Sequence, residues 1–347
     1  MLSEQLKDIF LRNKDPFNEI LGQEQAKLGI KSALLMNRHI VIVGAPGIGK
    51  TTLARNISKL LPDIEVIEGC SYHCTPKAPV CPSCRQMKKY NTVKLEGSKR
   101  FIRVQGSPDL TVEDLLGDID PIKALNFGPL SLEAFTPGKI FKANNGVLFF
   151  DELNRCPEKL QNALLQVLEE RKATIGSYDF DFDASFIFIS TMNPEDSSTE
   201  KLSDVLLDRF DVIYMGYPES AGIEKNIVSA KGKKIASVSD EMLDLMVHFI
   251  RILRSDEKLE KKPSVRASIG LYERSQSNAL LKGRSDVEFE DIKDVIVSVL
   301  SHRIRLRPSV RYLESVEHYI KEQFHKSIET SKWQNNMEEE QQSGDYR

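Results

Sequence analysis

No long apolar run occurs in this sequence: nothing in its 347 residues approaches the ~18 consecutive apolar positions of a membrane span. The opening Met1-Leu2-Ser3-Glu4-Gln5 carries acid early and has no signal-peptide core, so a cytoplasmic protein without membrane contact is the expectation. Strong net charge is missing too. Lys and Arg number 48 against 51 Asp and Glu, a formal charge of −3, so no global field draws the chain to nucleic acid or acidic lipid, and any such contact must be local. Cysteine is scarce and unevenly placed: four of the five fall between Cys70 and Cys84, too crowded for a scattered disulfide framework. No internal repeat is detectable. What remains, 40% apolar and 29% charged residues, is the composition of an ordinary globular protein whose length fits about two domains.

The stretch Gly44-Ala45-Pro46-Gly47-Ile48-Gly49-Lys50-Thr51-Thr52 matches G-x-x-x-x-G-K-[ST] and follows Ile40-Val41-Ile42-Val43, which reads as a buried strand. A glycine-rich turn between strand and helix points backbone N–H groups at an anion, and the helix beginning near Lys50 adds its positive end. Phosphate is the natural occupant, with Lys50 reaching the terminal phosphates and the Thr51 hydroxyl holding Mg²⁺. The second diagnostic segment is Gly146-Val147-Leu148-Phe149-Phe150-Asp151-Glu152, a buried strand with two acids where it emerges. Asp151 is suited to orient the Mg²⁺ shell and Glu152 to take a proton from an attacking water. A further strand, Phe186-Ile187-Phe188-Ile189, delivers Asn193 to the same edge, where its amide could bond both the γ-phosphate and the water.

Between these segments lies Cys70-x3-Cys74-x6-Cys81-x2-Cys84, spacing that puts four thiolates within reach of one tetrahedral ion. Zinc is favoured, an iron–sulfur centre is the alternative, and His73 is read as a bystander. Four protein ligands leave no open position, so the site would be structural. Residues 85–100, with Arg85, Lys88, Lys89, Lys94, Lys99 and Arg100, read as a solvated basic insertion, with a nucleic-acid patch as the competing reading. A helix is expected over 109–117, loop over 118–138, a hairpin over 173–183 around Gly176 and Tyr178-Asp179-Phe180, and a last strand over 212–215. Beyond Pro218 the stripes Met242, Leu243, Met246, Phe249, Ile250, Leu253 and Ile292, Val295, Ile296, Val299, Leu300 are helical. From about Ser331 periodicity is lost, as in a disordered tail.

These residues, from about Phe17 to Arg307, resemble the AAA+ ATPases, in the branch that contains the MoxR family and the ATPase subunit of magnesium chelatase. Asp151-Glu152-Leu153-Asn154-Arg155, Gln161-Asn162-Ala163-Leu164-Leu165 and Glu169-Glu170-Arg171 look like MoxR. Thr191-Met192-Asn193-Pro194-Glu195 and Leu206-Leu207-Asp208-Arg209-Phe210 look like the chelatase subunit. The resemblance implies a P-loop NTPase fold: a three-layer αβα core with a parallel sheet over 1–217, then a small all-α lid over 218–310 and a C-terminal helix and tail over 311–347. The cysteine-rich insertion about 68–100 departs from the family pattern, and 118–138 corresponds to the family's helix-2 insertion. The resemblance also implies a ring, usually of six copies, with ATP between neighbours. Arg209 then serves the adjacent subunit's site, Arg266 is a second sensor reaching the phosphates, Asn193 the first sensor, and Leu21-Gly22-Gln23 the adenine contact.

The function so implied is an Mg²⁺-dependent ATPase of the MoxR type that remodels or activates a client, with a von Willebrand A-domain protein as the expected kind of partner. A chelatase motor inserting metal into a tetrapyrrole is the alternative. A nucleic-acid motor is a weaker one, because the 173–183 hairpin offers Asp179, Asp181 and Asp183 where phosphate contact wants bases. The intact set Lys50, Asp151, Glu152, Asn193 and Arg209 argues against a scaffold that merely binds nucleotide.

Overall fold

The runs Ile40–Val43, Val147–Phe150 and Phe186–Ile189 are apolar at consecutive positions, so strands built from them need cover on both faces. The structure, a computed structural model, describes residues 2–13, 15–128, 131–170, 172–174, 181–183, 185–194 and 202–329. Its first unit carries β1 (His39–Val43), β2 (Ile64–Ile67), β3 (Thr92–Leu95), β4 (Phe101–Gln105), β5 (Gly117–Ile119), β6 (Phe135–Pro137), β7 (Gly146–Asp151), β8 (Lys172–Thr174), β9 (Asp181–Asp183), β10 (Phe186–Met192) and β11 (Phe210–Tyr214). Five of these form one sheet, in the order β11-β1-β10-β7-β4 and parallel throughout. Val41, Val43, Leu148, Phe150 and Phe188 point to one face, into a core shared with Leu160, Leu164 and Val167 of the helix Glu158–Glu170. The alternate positions face helices Glu24–Leu35 and Lys50–Leu60, which pack against β1, β7, β10 and β11. Helix, sheet and helix make the three expected layers.

Several expectations are corrected in detail. Ile64-Glu65-Val66-Ile67, which also reads from the sequence as a short strand, does not join the sheet; it pairs antiparallel with β3, which lies inside the supposed solvated insertion. Arg100, grouped with the exposed bases of that insertion, is 1% exposed. Its guanidinium donates to the carbonyls of Asn145 at 2.7 Å and Pro62 at 2.6 Å and to the Gln5 side chain at 3.1 Å, and burial lowers its pKa to about 10. The segment 118–138, expected as loop, holds the antiparallel pair β5–β6 and a helix Pro121–Phe127 capped by Asp120. The helix expected over 109–117 spans only Val112–Leu116, because Thr111 and Asp114 form a capping box. The last strand begins two positions earlier than expected, at Phe210. The hairpin over 173–183 is present as β8 paired with β9, Lys172 opposite Asp183; Gly176, Tyr178, Asp179 and Phe180 lie outside the described residues, as does the tail from 330.

A second compact unit takes in the chain from Tyr217 together with Pro46–Ile48 of the glycine-rich loop. It packs helices Ala221–Lys231, Asp240–Ser255, Val265–Leu281, Phe289–Leu300 and Val316–Glu329 around Met246, Phe249, Ile250, Leu271, Ile296, Tyr319 and Phe324. A short antiparallel ribbon, β12 (Leu259–Lys261) with β13 (Arg305–Leu306), joins them. The C-terminal helix shares this core through Tyr319, Ile320 and Phe324, so it is part of the helical unit. Among the described residues no helix is long and apolar enough to cross a membrane.

Candidate functional site

Parallel strands bring their C-terminal ends to one edge, and register decides which residues meet there. Val43 pairs with Met192, Ser190 with Phe150 and Gln105 with Asp151, so the glycine-rich loop, Thr191, Asp151 and Gln105 lie side by side. Gly49, at φ 103°, caps the helix Lys50–Leu60 in a conformation that disfavours a β-carbon. Lys50, 9% exposed, donates to the carbonyls of Gly44 at 2.5 Å and Ala45 at 2.8 Å, bonds that phosphate oxygens could replace. The Thr51 hydroxyl lies 3.4 Å from Asp151 Oδ2. Adjacent ligands of octahedral Mg²⁺ are about 3.0 Å apart, so this pair of hard oxygens suits that ion.

Both acids are held through one hydroxyl. Thr191 Oγ1 donates to Asp151 Oδ1 at 2.7 Å and accepts from the Glu152 amide at 2.9 Å. Glu152 adopts φ 60°, ψ 55°, a left-handed conformation rare for glutamate, which turns its carboxylate away from the line of β7. That carboxylate meets Gln105 Nε2 at 3.1 Å and Arg155 at 3.2 Å. Arg103 reaches Asp151 Oδ2 at 2.7 Å. Asn193 begins beside the glycine-rich loop, since Gly44 N donates to the preceding Met192 carbonyl, and its own carbonyl accepts from Asn154. Sequence reasoning missed Arg103, Gln105 and Thr191; the polar alternation of Phe101-Ile102-Arg103-Val104-Gln105 was the available signal.

Arg209 lies apart from this cluster. Arg209 directly precedes β11, whose first residue Phe210 pairs with His39 at the start of β1. The length of β1, five residues or about 16 Å, therefore separates Arg209 from the edge that carries Lys50 and Asp151. Its guanidinium contacts Asp208 at 3.1 Å and Glu169 at 3.3 Å, while Asp211, two positions on, takes Arg38 at 3.0 Å. Arg209 Nε is buried with no hydrogen-bond partner among the described residues. Gly22 and Gln23 are both left-handed, at φ 69° and 63°, ahead of the helix Glu24–Leu35, and Gln23 Nε2 donates to the Gly216 carbonyl at 2.9 Å. Arg266 occupies the first turn of Val265–Leu281 in the second unit and is exposed.

The four cysteines converge: the sulfurs of Cys70, Cys74, Cys81 and Cys84 all lie within 4.8 Å of one another, and Cys70 and Cys81 are 3.8 Å apart. Tetrahedral zinc with 2.3 Å bonds sets its sulfurs about 3.8 Å apart. The amides of Val80 and Cys81 point at Cys74 Sγ at 3.3 Å, and that of Cys84 at Cys81 Sγ at 3.4 Å, the hydrogen bonds that stabilise metal-bound thiolates. Without a cation the four cannot all ionise: hydrogen bonds from Cys74 and Cys81 hold the Cys70 thiol low, and the pKa of Cys81 is pushed up to about 12. The donor set fits a soft dication. His73 is outside the group.

Comparison with known proteins agrees with this geometry. The model of the ATPase family associated with various cellular activities (AAA) matches residues 82–212, an AAA lid domain matches 253–321, and the model of magnesium chelatase subunit ChlI matches 16–79. The chloroplastic magnesium-chelatase subunit ChlI of Glycine max is 30% identical over 340 residues, covering 87% of this chain and 76% of the relative. A magnesium-chelatase subunit ChlI homolog of Methanocaldococcus jannaschii is 27% identical over 331 residues, covering 84% and 86%. Among solved structures, one from the BchI–BchD complex of magnesium chelatase aligns with a TM-score of 0.50 at 22% identity, over 86% of this chain and 98% of that one, a likeness of fold. The chain is an ATPase of the AAA+ family and belongs to the branch of the magnesium-chelatase subunit ChlI.

Proposed function

We propose that the protein is the ATP-hydrolysing ring subunit of a machine that does work on a second, different protein. The observation that carries this reading is the place of Arg209. It stands a strand's length from its own Asp151, and so suits the phosphates of a neighbouring copy. In this reading the Gly44–Thr52 loop and Lys50 hold the triphosphate, Gly22 borders the adenine, and Thr51 with Asp151 holds Mg²⁺. Held by these two oxygens, Mg²⁺ would supply charge neutralisation to the phosphates. Glu152 accepts the proton of the attacking water, Asn193 orients that water, and Arg209 in trans and Arg266 from the second unit balance the charge that builds on the transferred group. Glu152→Gln should keep nucleotide affinity and lose turnover by about 10²-fold or more, read by fluorescent-nucleotide binding beside phosphate release. Wild-type turnover in that variant would remove Glu152 from the mechanism.

Two partners fit this ring. A chelatase motor is favoured by 30% identity to a ChlI subunit over 87% of the chain. It predicts ATPase stimulation by a large tetrapyrrole-binding subunit loaded with porphyrin. A MoxR-type activator predicts stimulation by a von Willebrand A-domain protein instead. The cysteine cluster is a structural zinc site in either case, and metal analysis of purified protein should find stoichiometric zinc and no iron.

A further inference from the structure

The carboxylate assigned to Mg²⁺ already has a cation. Arg103 donates to Asp151 Oδ2 at 2.7 Å, the same oxygen that Thr51 Oγ1 approaches at 3.4 Å, while Oδ1 is taken by Thr191 at 2.7 Å. The side chain of Asp151 is 14% exposed and that of Arg103 47%, so the acid is fixed by its surroundings and the base is free to swing. Among the described residues, the other hydrogen bond of Arg103 goes to Gln105 Oε1 at 3.1 Å, on the same strand, and leaves the guanidinium able to move off Asp151. A dication bound to Oδ2 at about 2.1 Å and a guanidinium hydrogen-bonded to that oxygen would lie within about 5 Å, where like charges repel. They cannot share the oxygen without cost.

We propose that Arg103 is a positioning residue that stands in for the metal on Asp151 and must be displaced when Mg²⁺ enters with nucleotide. The proposal rests on the reading of Thr51 and Asp151 as the metal side of an ATP site. In the empty site Arg103 balances the carboxylate, keeps Asp151 turned toward Thr51, and discourages free cations from settling there ahead of nucleotide. When the ion arrives the guanidinium gives up Oδ2 and keeps Gln105 Oε1 as its resting contact. Arg103 thereby raises the metal concentration at which the site fills, and the protein's metal requirement is set partly by a residue that touches neither nucleotide nor ion.

The test is Mn²⁺ binding to full-length protein saturated with ADP, followed through the paramagnetic resonance signal of free Mn²⁺. Arg103→Gln should half-saturate at about threefold to fivefold lower Mn²⁺ than wild type, the range open to a pair with one half-exposed partner. Arg103→Lys, which keeps the charge, should stay close to wild type. Should Arg103→Gln fail to fold, Arg103→Met serves the same comparison. An unchanged or higher midpoint in the neutral variant, or an equal drop in Arg103→Lys, would overturn the proposal while leaving the ATP site intact. Absence of nucleotide-linked Mn²⁺ binding in wild type would instead sink the ATP-site reading itself.

Discussion

Thr191 joins Asp151 to Glu152 through one oxygen that donates to the first and accepts from the second. Thr191→Val keeps the shape and removes both bonds, so kcat should fall by about tenfold, the worth of one to two buried hydrogen bonds, with nucleotide affinity little changed. Steady-state ATPase beside equilibrium nucleotide binding separates the two effects. Much of the site was legible in the sequence because Lys50, Thr51, Asp151 and Glu152 sit in strings whose spacing to a strand is itself the signal. Arg103 and Thr191 were not, since their roles depend on strand neighbours that register alone supplies. The ion pair of Arg209 shows the same limit. Sequence proximity offers Asp208 and Asp211, whereas pairing of β11 with β1 gives Asp211 to Arg38, and the end of a helix forty positions away gives Glu169 to Arg209.

At the scale of elements, β7 is held at both ends. Asp151 closes one. At the other, Asn144 and Asn145 donate to the carbonyls of Tyr72 and His73 within the cysteine knuckle, and the ring of Tyr72 meets Phe141 edge-on at 5.3 Å. On the proposed zinc reading, chelator treatment or Cys74→Ser should loosen that end and lower the melting midpoint of the first unit by several degrees, about 2–4 °C for each kcal/mol lost. Calorimetry with and without added zinc reads it, and an unchanged midpoint would mean the knuckle carries no fold energy. The second unit depends on a different device. Glu224, fully buried, takes both guanidinium nitrogens of Arg254 at 2.5 and 2.6 Å and the hydroxyl of Ser268. Glu224→Ala leaves Arg254 buried and unpaired and should cost about 3–5 kcal/mol in urea unfolding. Long apolar strands and striped helices were readable from periodicity. β2 was readable, but its partner β3 and the β5–β6 pair were not, because short, half-exposed strands lack an apolar run, and Arg100 reads as a surface charge until its carbonyl acceptors are seen.

For the whole molecule, the decisive prediction concerns mixing. In the proposed ring, Arg209→Ala and Glu152→Gln should each be nearly inactive alone, since the first would lack the group lent to a neighbour and the second the base. A mixture of the two should regain part of the wild-type rate, because an interface pairing Glu152 of one with Arg209 of the other is intact. No recovery in demonstrably mixed assemblies would place Arg209 outside the reaction. The division into an α/β unit and a helical unit followed from where strands stop in the sequence. That the C-terminal helix Val316–Glu329 shares the helical core did not, because Tyr319, Ile320 and Phe324 find their partners only in three dimensions.

The hairpin of β2 and β3 brings Ile67 opposite Thr92, so everything between them is closed off by one stem and docks, through Tyr72 and His73, at the end of β7 opposite Asp151. Descent can therefore re-clothe the outer face of that appendage, so long as the two carbonyls that hold the start of β7 stay in place. New recognition can be tried there while the catalytic inheritance stays untouched.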